Sequence, residues 1–277
     1  MTSQADSSAR DNSPVKSRPG LKFRVLILGR ANAGKTTILE RIAGAAVSEA
    51  EVWRGGERLP TSMIKGQSDR GLHNIEYELR FPSRRGFVFH DSRGIESGSA
   101  EELETLRKFV ETRSSTNSIH EQLHAIWMCV PLDESRELFQ GERAPFGWSK
   151  GVVVIFTKRD GAVLKETSKI MEQMSKDSSV TTISRSEKSR VRREADNLVT
   201  HRINELEGEL RDLSPQKDTL GFLTAGGMQK CTDETEKTCQ ELIKLTEGQL
   251  NGPTMKTLLS VVWGQNLSRQ GFWAFYW

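Results

Sequence analysis

Short apolar runs alternate along this chain with longer segments in which apolar residues recur at helical spacing. The apolar runs predict strands at residues 22–28, 87–90, 123–130, 152–156 and 220–223, and polar–apolar alternation predicts another strand over 73–81. Helical spacing predicts helices at residues 35–45, 100–113, 162–175, 187–213, 231–248 and 254–267. Strands that alternate with helices in this way predict an α/β fold, with a mostly parallel sheet covered by helices on both faces in three layers.

Three stretches interrupt this alternation. Residues 1–20 are polar and almost free of apolar side chains, which predicts a disordered tail. Residues 46–72 have no clear periodicity and contain adjacent glycines, which predicts a long loop. Residues 176–215 are strongly charged and predict a helical insertion before the last strand. We therefore expect one domain over residues 21–268, with this insertion inside it.

The predicted helix at 187–213 carries an apolar seam at spacings of four and three, formed by Val199, Ile203, Leu206, Leu210 and Leu213. Three interpretations fit this pattern. The helix lies on the domain with its charged face in water, it forms a coiled-coil or partner-binding arm, or its basic beginning contacts an anionic membrane or RNA. No aromatic residues are interleaved with the basic ones, so the third interpretation ranks last.

Length and composition limit the class of protein. The chain has 277 residues, 35% hydrophobic and 28% charged, which is enough for one α/β domain with extensions or at most two domains. A net charge of +3 gives no argument for nucleic-acid binding, so we expect none. The cysteines lack metal-ligand spacing, and no signal sequence or apolar run of about 18 residues is present. We therefore expect a cytoplasmic protein with reduced thiols.

The C-terminal tail, residues 269–277, departs from this composition. Five of the seven residues in 271–277 are aromatic, against 7% for the whole chain. The tail packs back on the domain, inserts into a membrane interface, or results from an error in the gene prediction. The sequence leaves these three interpretations open.

The stretch with the most specific chemistry is 21–37. An apolar run leads into Gly29-x-x-x-x-Gly34-Lys35-Thr36, and helical spacing follows at once. The glycines let backbone N–H groups turn toward phosphate oxygens, which the positive end of the helix also attracts. This context predicts a P-loop, in which Lys35 binds the β- and γ-phosphates and the Thr36 hydroxyl holds Mg²⁺. The loop residues expected at the nucleotide are Gly29, Asn32, Ala33, Gly34, Lys35, Thr36 and Thr37.

A second element, Asp91-Ser92-Arg93-Gly94, follows a predicted strand. In such a DxxG element Asp91 would reach Mg²⁺ through water, and the Gly94 N–H would contact the γ-phosphate. His90 directly precedes Asp91, so it is the one histidine considered for contact with the nucleotide. The hydroxyl that closes over Mg²⁺ would come from Thr61 or Ser68, and Ser68 is favoured because it is nearer to the following strand.

Two elements point to the base. Thr157-Lys158-Arg159-Asp160 follows the most β-branched run, and the Asp160 carboxylate can accept from the two adjacent donors of guanine, with the Lys158 stem over the ring. The backbone N–H groups of Thr224-Ala225-Gly226 would meet the base oxygen. Each element is weak alone, but the ordered set falls at strand ends, where open α/β sheets bind ligands.

With these elements in place, the chain resembles the translation-factor-related class of P-loop GTPases over residues 21–248. The loop GRANAGKTT is similar to those of the Era-like and tRNA-modifying GTPases, whereas DSRG and TKRD are closer to the septin, chloroplast-import and immune-associated branch. The stretches RGLHNIEYEL, FVFHDSRGIESGS and QLHAIWMCVPLDESR resemble a group of fungal G-domain proteins. The resemblance implies a G-domain fold and GTP or GDP with Mg²⁺ as ligands.

Two positions depart from this class. Thr157 replaces the usual Asn, and Ile95 follows Gly94 where Ras-like proteins place the glutamine that orients water. The sequence therefore predicts a molecular switch that hydrolyses GTP to GDP slowly without a partner or dimer, with Lys35, Asp91 and Gly94 as catalytic residues. A non-hydrolysing, nucleotide-stabilised interaction module and a membrane-associated, dimerising GTPase are the alternatives. No protein effector can be read from the sequence.

Asn32 has two interpretations. In the tRNA-modifying GTPases that the loop resembles, the matching Asn helps to hold K⁺ against the phosphates, and K⁺ would then promote hydrolysis in a homodimer. Alternatively, the Asn32 side chain only stabilises the loop by bonding its backbone.

Overall fold

Within the part of the chain that the structure describes, the central sheet has eight strands. They are β1 (Phe23–Leu28), β2 (Glu51–Arg54), β3 (Glu57–Arg58), β4 (Glu78–Arg80), β5 (Phe87–Asp91), β6 (Ala125–Pro131), β7 (Val152–Thr157) and β8 (Leu220–Thr224). Their order is β3-β2-β4-β5-β1-β6-β7-β8. The run from β5 to β8 is parallel, whereas β2, β3 and β4 pair antiparallel. The computed structural model describes residues 20–60, 74–92, 100–134, 140–147, 151–177, 184–214 and 220–267.

Helices cover the sheet on both faces. They are α1 (Lys35–Ala43), α2 (Ala100–Ser115), α3 (Gln140–Arg143), α4 (Arg159–Asp177), α5 (Arg185–Leu213), α6 (Asp233–Gln249) and α7 (Pro253–Leu267), with short 3₁₀ turns at Val47–Glu49 and Ala144–Gly147. One apolar core lies between the sheet and α1, α6 and α7, and a second lies between the sheet and α2, α4 and α5. The predicted α/β architecture with a mostly parallel sheet is confirmed.

The central strands form where the sequence is apolar on both sides of the chain. All six residues of β1 and of β7 are buried, as is all of β6. Parallel strands lie between two helical layers, so both sets of alternating side chains must be apolar. The one polar atom of the large Trp127 side chain is satisfied, because Nε1 donates to the Thr246 hydroxyl at 3.0 Å.

The predicted loop at 46–72 is wrong in its first part. Strands β2 and β3 form a hairpin there, joined through Gly55 and Gly56, whose φ angles are 58° and 89°. Two consecutive positive φ angles are what a tight hairpin turn requires, and glycine adopts them without strain. The strand signal is weak because Val52 is the one buried residue of β2. Strand β4 is also shorter than the predicted 73–81.

The charged helix α5 packs on the domain through its apolar seam. Val199, Ile203 and Leu210 are buried in the second core, and Leu206 and Leu213 pack against it. Its start is fixed by a capping box, in which Ser184 accepts from the Glu187 N–H at 3.2 Å. The seam is therefore used inside this chain, as the first of the three interpretations of this helix requires.

Several predictions concern residues outside the described ranges. These are the tail at 1–19, Ser68, Gly94, Ile95 and the aromatic segment 269–277. Among the described helices, none is both long enough and apolar enough to pass through a bilayer.

Candidate functional site

The predicted phosphate, magnesium and base elements meet at one edge of the sheet. Gly29 follows β1, Asp91 ends β5, Thr157 ends β7 and Thr224 ends β8. These strands run parallel and are neighbours in the order β5-β1-β6-β7-β8. Their carboxyl ends therefore lie side by side, in the position where open α/β sheets bind ligands.

The loop between β1 and α1 depends on its two glycines. Gly29 has φ 142°, and a Cβ there would lie 2.5 Å from the Cys129 carbonyl oxygen, so no larger residue fits. Gly34 has φ 86° and precedes α1, whose first intrahelical bond runs from the Ile38 N–H to the Gly34 carbonyl at 3.0 Å. The loop therefore passes close to β6 and turns directly into a helix N-terminus, whose free N–H groups and positive dipole favour an anion.

Lys35 lies within the curve of this loop. Its ammonium donates to the Gly29 carbonyl at 2.9 Å and to the Arg30 carbonyl at 3.0 Å, and the residue is 8% exposed. The loop therefore holds a cation at its centre. Thr36, the predicted magnesium ligand, is exposed at the start of α1, and Thr37 is half-buried.

Asn32 has φ 57° and is exposed. Asn is among the few residues other than glycine that tolerate this left-handed conformation. The left-handed backbone conformation therefore explains an asparagine at this position without a bound ion.

Asp91 carries an unsatisfied carboxylate oxygen. Its Oδ1 is buried and has no hydrogen-bond partner among the described residues. Burial raises the pKa of Asp91 to about 6, although the nearby Lys35 ammonium opposes the change. A buried carboxylate oxygen without a donor is a fitting ligand for a hydrated cation. No group of three or more His, Cys, Asp or Glu side chains forms a metal site within the described ranges, so an ion here would depend on hydroxyl, water or phosphate oxygens as well.

Asp160 lies in the first turn of α4 and faces the segment after β8. Its Oδ1 accepts from the Gly227 N–H at 3.0 Å, and its Oδ2 accepts from the Gln229 side-chain amide at 3.2 Å. Partial burial opposes ionisation, but these bonds outweigh it and lower the pKa of Asp160. The carboxylate is exposed and has further lone pairs, so it can accept additional donors from a ligand.

Thr157 contacts the loop between β1 and α1. Its hydroxyl donates to the Ala33 carbonyl at 2.7 Å, and its Cβ would be 3.4 Å from a side chain at Gly34. The shortened side chain at this position therefore ties the end of β7 to the loop after β1.

The positions of two predicted base-binding groups differ from the expectation. The Ala225 N–H donates to the Phe156 carbonyl at 2.7 Å, because the pairing of β7 with β8 continues one residue past Thr224. In this conformation that N–H is used by the sheet and cannot meet a base oxygen. The Lys158 ammonium pairs with Asp133 at 3.0 Å, so its charge is directed to the segment after β6.

His90 does not face the site. It is fully buried and lies on the sheet face opposite Phe89 and Asp91 because successive side chains of β5 alternate. Its Nδ1 lies 2.8 Å from the Ile75 carbonyl and its Nε2 lies 3.2 Å from Arg24. These contacts give His90 a structural role in the described chain.

Sequence reasoning missed a buried ion pair between the loop that follows β1 and helix α3. The Arg30 guanidinium donates to both carboxylate oxygens of Glu142, at 2.9 and 2.7 Å, and to Glu134 at 3.0 Å. The Glu142 side chain is fully buried. No local signal could have revealed this pair, since 112 residues separate its members.

The sequence matches no model of a known protein family, and it matches none of the curated proteins.

Proposed function

We propose that this chain is a G-domain protein that binds GTP and GDP with Mg²⁺, hydrolyses GTP to GDP and acts as a molecular switch. The observation that carries the proposal is the meeting of the four ordered elements at the carboxyl ends of neighbouring parallel strands. A chance match to one motif would not bring the other three to the same edge of the sheet.

The residues present fit a nucleotide and a divalent cation. The phosphates would lie in the loop from Gly29 to Gly34, at the N-terminus of α1 and against Lys35. Thr36 and Asp91 would hold Mg²⁺, which when bound offsets the negative charge of the phosphates. The unsatisfied Asp91 oxygen and the cation inside the loop both favour this assignment.

Catalysis would then rest on positioning and charge. Lys35 is already fixed by two carbonyl oxygens, so its ammonium needs little rearrangement to reach phosphate oxygens. Asp160 is held by Gly227 and Gln229, and its remaining lone pairs would accept the two donors of guanine. Because Ile95 replaces the water-orienting glutamine, turnover would be slow unless a partner or a second copy supplies a group.

The central test is binding of GTP and ATP to the purified protein, together with identification of any nucleotide that copurifies. We expect GTP and GDP to bind in the presence of Mg²⁺ and ATP to compete poorly, because adenine lacks the adjacent donor pair. Equal competition by ATP would contradict the role given to Asp160. Failure of both nucleotides to bind would contradict the proposed function.

A second candidate function is a nucleotide-stabilised interaction module that does not hydrolyse GTP. The isoleucine after Gly94 favours it, because an aliphatic side chain cannot orient water. Single-turnover measurements at high protein concentration separate the two. Formation of GDP at a rate that depends on Mg²⁺ supports the switch, whereas bound GTP that stays intact supports the module.

The first mutational prediction concerns Lys35. In Lys35→Ala, nucleotide binding should become undetectable while the circular dichroism spectrum is retained, since the ammonium would contact phosphates and does not build the apolar core. The two loop carbonyls lose a donor, so the unfolding free energy should fall by about 1–2 kcal/mol. Lys256→Ala, which removes an exposed lysine of α7, is the control expected to keep the binding. Unchanged GTP affinity in Lys35→Ala would contradict the P-loop assignment.

A further inference from the structure

The segment that follows β8, residues 225–231, is named here the base loop. It is anchored at its start, where the Arg159 N–H donates to the Ala225 carbonyl at 3.3 Å. It is anchored at its end by α6, whose Thr235 hydroxyl donates to the Lys230 carbonyl at 3.0 Å. Between these points it contains Gly226 and Gly227, the latter with φ 64°, so its middle has little stiffness of its own.

Arg41 holds the middle of the base loop from one side. Its Nε donates to the Met228 carbonyl at 2.6 Å and its Nη2 donates to the Gln229 carbonyl at 3.1 Å. Its Nη1 contacts the Cys231 sulfur. A single guanidinium therefore contacts three of the four residues in 228–231. A lysine could not make all these contacts, because it lacks the planar, forked arrangement of N–H donors.

Asp160 holds the same loop from the other side. It accepts from the Gly227 N–H and from the Gln229 side chain, so Gln229 is contacted by Arg41 through its backbone and by Asp160 through its amide. The base loop is thus fixed between α1 and the start of α4. Any displacement of the loop away from α1 also removes the donors that orient the Asp160 carboxylate.

The position of Arg41 in the fold links the two ends of the proposed ligand. Arg41 lies in the last turn of α1, the helix that begins at Lys35 after the phosphate loop. Six residues of helix separate Lys35 and Arg41, a rise of about 9 Å. The same short helix would therefore bind phosphates at one end and hold the base loop at the other.

We propose that Arg41 is a positioning residue for guanine recognition, which fixes the base loop and the Asp160 carboxylate relative to the phosphate loop without touching the nucleotide. This inference rests on the proposed function. Arg41 would affect the part of the nucleotide affinity that comes from contacts with the base. Lys35 and the backbone amides of the loop after β1 would provide the part that comes from the phosphates.

The test compares GDP with inosine diphosphate, which lacks the exocyclic amine that Asp160 would accept from. Affinities of both are measured by calorimetry with Mg²⁺ for the full chain and for Arg41→Ala. We expect the variant to bind GDP about tenfold more weakly and to lose most of the preference for GDP over inosine diphosphate, because a misplaced carboxylate cannot use the amine. Inosine diphosphate affinity should change by a smaller factor.

Two further variants serve as checks. Arg41→Lys keeps the charge but not the fork, so it should recover part of the GDP affinity at most. Lys237→Ala removes an exposed cation of α6 near the same loop and should behave as the unaltered protein. Hydrogen exchange of the peptide over 222–236, measured without nucleotide, reports the loop directly. It should be faster in Arg41→Ala than in Lys237→Ala or the unaltered protein.

The outcomes separate this inference from the proposed function. If the unaltered chain binds neither nucleotide, the proposed function fails and guanine positioning fails with it. If it binds GDP but Arg41→Ala keeps the same preference over inosine diphosphate, the positioning role is overturned while the proposed function stands. Equal weakening of both nucleotides identifies a general structural role and also overturns the inference. Unchanged exchange of the 222–236 peptide rejects the contact between Arg41 and the loop in solution.

Discussion

At the residue scale, Asp160 is the group on which nucleotide choice should depend. In Asp160→Asn the amide presents a donor where guanine also presents one. The guanine donor, which is buried once the nucleotide is bound, then loses its acceptor at a cost of about 1–3 kcal/mol. Xanthine has an oxygen at that position, which the new donor can satisfy. We expect weaker GTP binding and stronger xanthosine triphosphate binding, measured by competition against a fluorescent nucleotide.

The contact of Asp160 with the base loop adds a condition to this prediction. The Gly227 N–H and the Gln229 amide both donate to the carboxylate, so the asparagine must keep its oxygen toward Gly227. The side chain of Gln229 can then rotate to accept from the new amide. A Gln229→Ala control, which removes this partner without changing Asp160, should not improve xanthosine triphosphate binding. The same improvement in both variants would show that loop disorder, not donor exchange, is the cause.

His124 gives a pH-dependent stability at the residue scale. It is buried, its Nδ1 accepts from the Arg24 N–H at 2.8 Å, and burial lowers its pKa to about 4. The folded state thus keeps His124 neutral at pH values where the unfolded chain, with a pKa near 6.5, is already protonated. The unfolded state then binds more protons, so the unfolding free energy falls as the pH decreases from 6.5 toward 4.

We expect His124→Asn to remove part of this fall, because Asn keeps an acceptor for the Arg24 N–H but does not titrate. Between pH 6.5 and 5 the unfolding free energy of the variant should decrease by about 2 kcal/mol less than that of the unaltered protein. Urea unfolding at both pH values measures it. His201→Asn, a change at an exposed histidine, should keep the original pH dependence. Equal pH dependence in all three proteins would contradict a neutral His124.

At the element scale, the Arg30–Glu142 pair joins the loop between β1 and α1 to α3. Removing one partner of a buried, bidentate pair leaves a desolvated charge, and the cost exceeds the net value of the pair. We expect Glu142→Ala to lower the unfolding free energy by about 3–5 kcal/mol. Glu134→Ala is the matched control, since Glu134 contacts the same guanidinium but is 34% exposed, and about 1 kcal/mol or less is expected.

A double variant tests whether burial of charge is the cause. Arg30→Met with Glu142→Leu removes both charges and should recover most of the stability lost in Glu142→Ala, because a well-packed apolar pair often replaces a buried ion pair without loss. Urea unfolding of the three variants gives the comparison. If the double variant is as unstable as Glu142→Ala, the loss of stability comes from packing and not from an unpaired buried charge.

The elements differ in how far the sequence could predict them. Strands β1 and β7 were predictable because they are apolar on both faces and lead into glycine or turn residues. The β2–β3 hairpin was missed because Val52 is the one buried residue of β2. The alternation of apolar and polar residues that identifies a strand is therefore almost absent from its sequence. Helix α5 was predicted within a few residues, since its apolar seam lies in the local sequence.

The residues of the candidate site also differ in how far the sequence could predict them. Local motifs at strand ends singled out the loop between β1 and α1, Asp91 and Asp160, and the structure brings these strand ends together. Their roles at a nucleotide stay predictions. The contacts of Arg30 and Arg41 depend on residues far away in the chain, 112 and 187 positions for the pairs with Glu142 and Met228. Long-range side-chain contacts of this kind follow from the packing of helices on the sheet, which one sequence does not specify residue by residue.

At the scale of the whole molecule, the interpretation of Asn32 as a K⁺ ligand predicts an effect of monovalent ions. If Asn32 helps to hold K⁺ at the phosphates, K⁺ should accelerate GTP hydrolysis over Na⁺ at equal ionic strength, and more so at protein concentrations where two copies associate. Asn32→Gly, which keeps the left-handed backbone, should remove this preference and leave GDP affinity nearly intact. Equal rates in both ions at all protein concentrations would leave only the conformational role of Asn32.

One end of the sheet bears on how two copies of this chain could associate. Strand β3 has two residues, Glu57 and Arg58, both exposed and of opposite charge. An edge this short has few free N–H and C=O groups to template another strand, and its charged side chains oppose stacking of apolar segments. The sheet is therefore protected at this edge against continuous growth into a fibre. If two copies associate in the proposed nucleotide cycle, we therefore expect them to meet through surfaces other than β3, and such contacts can separate again.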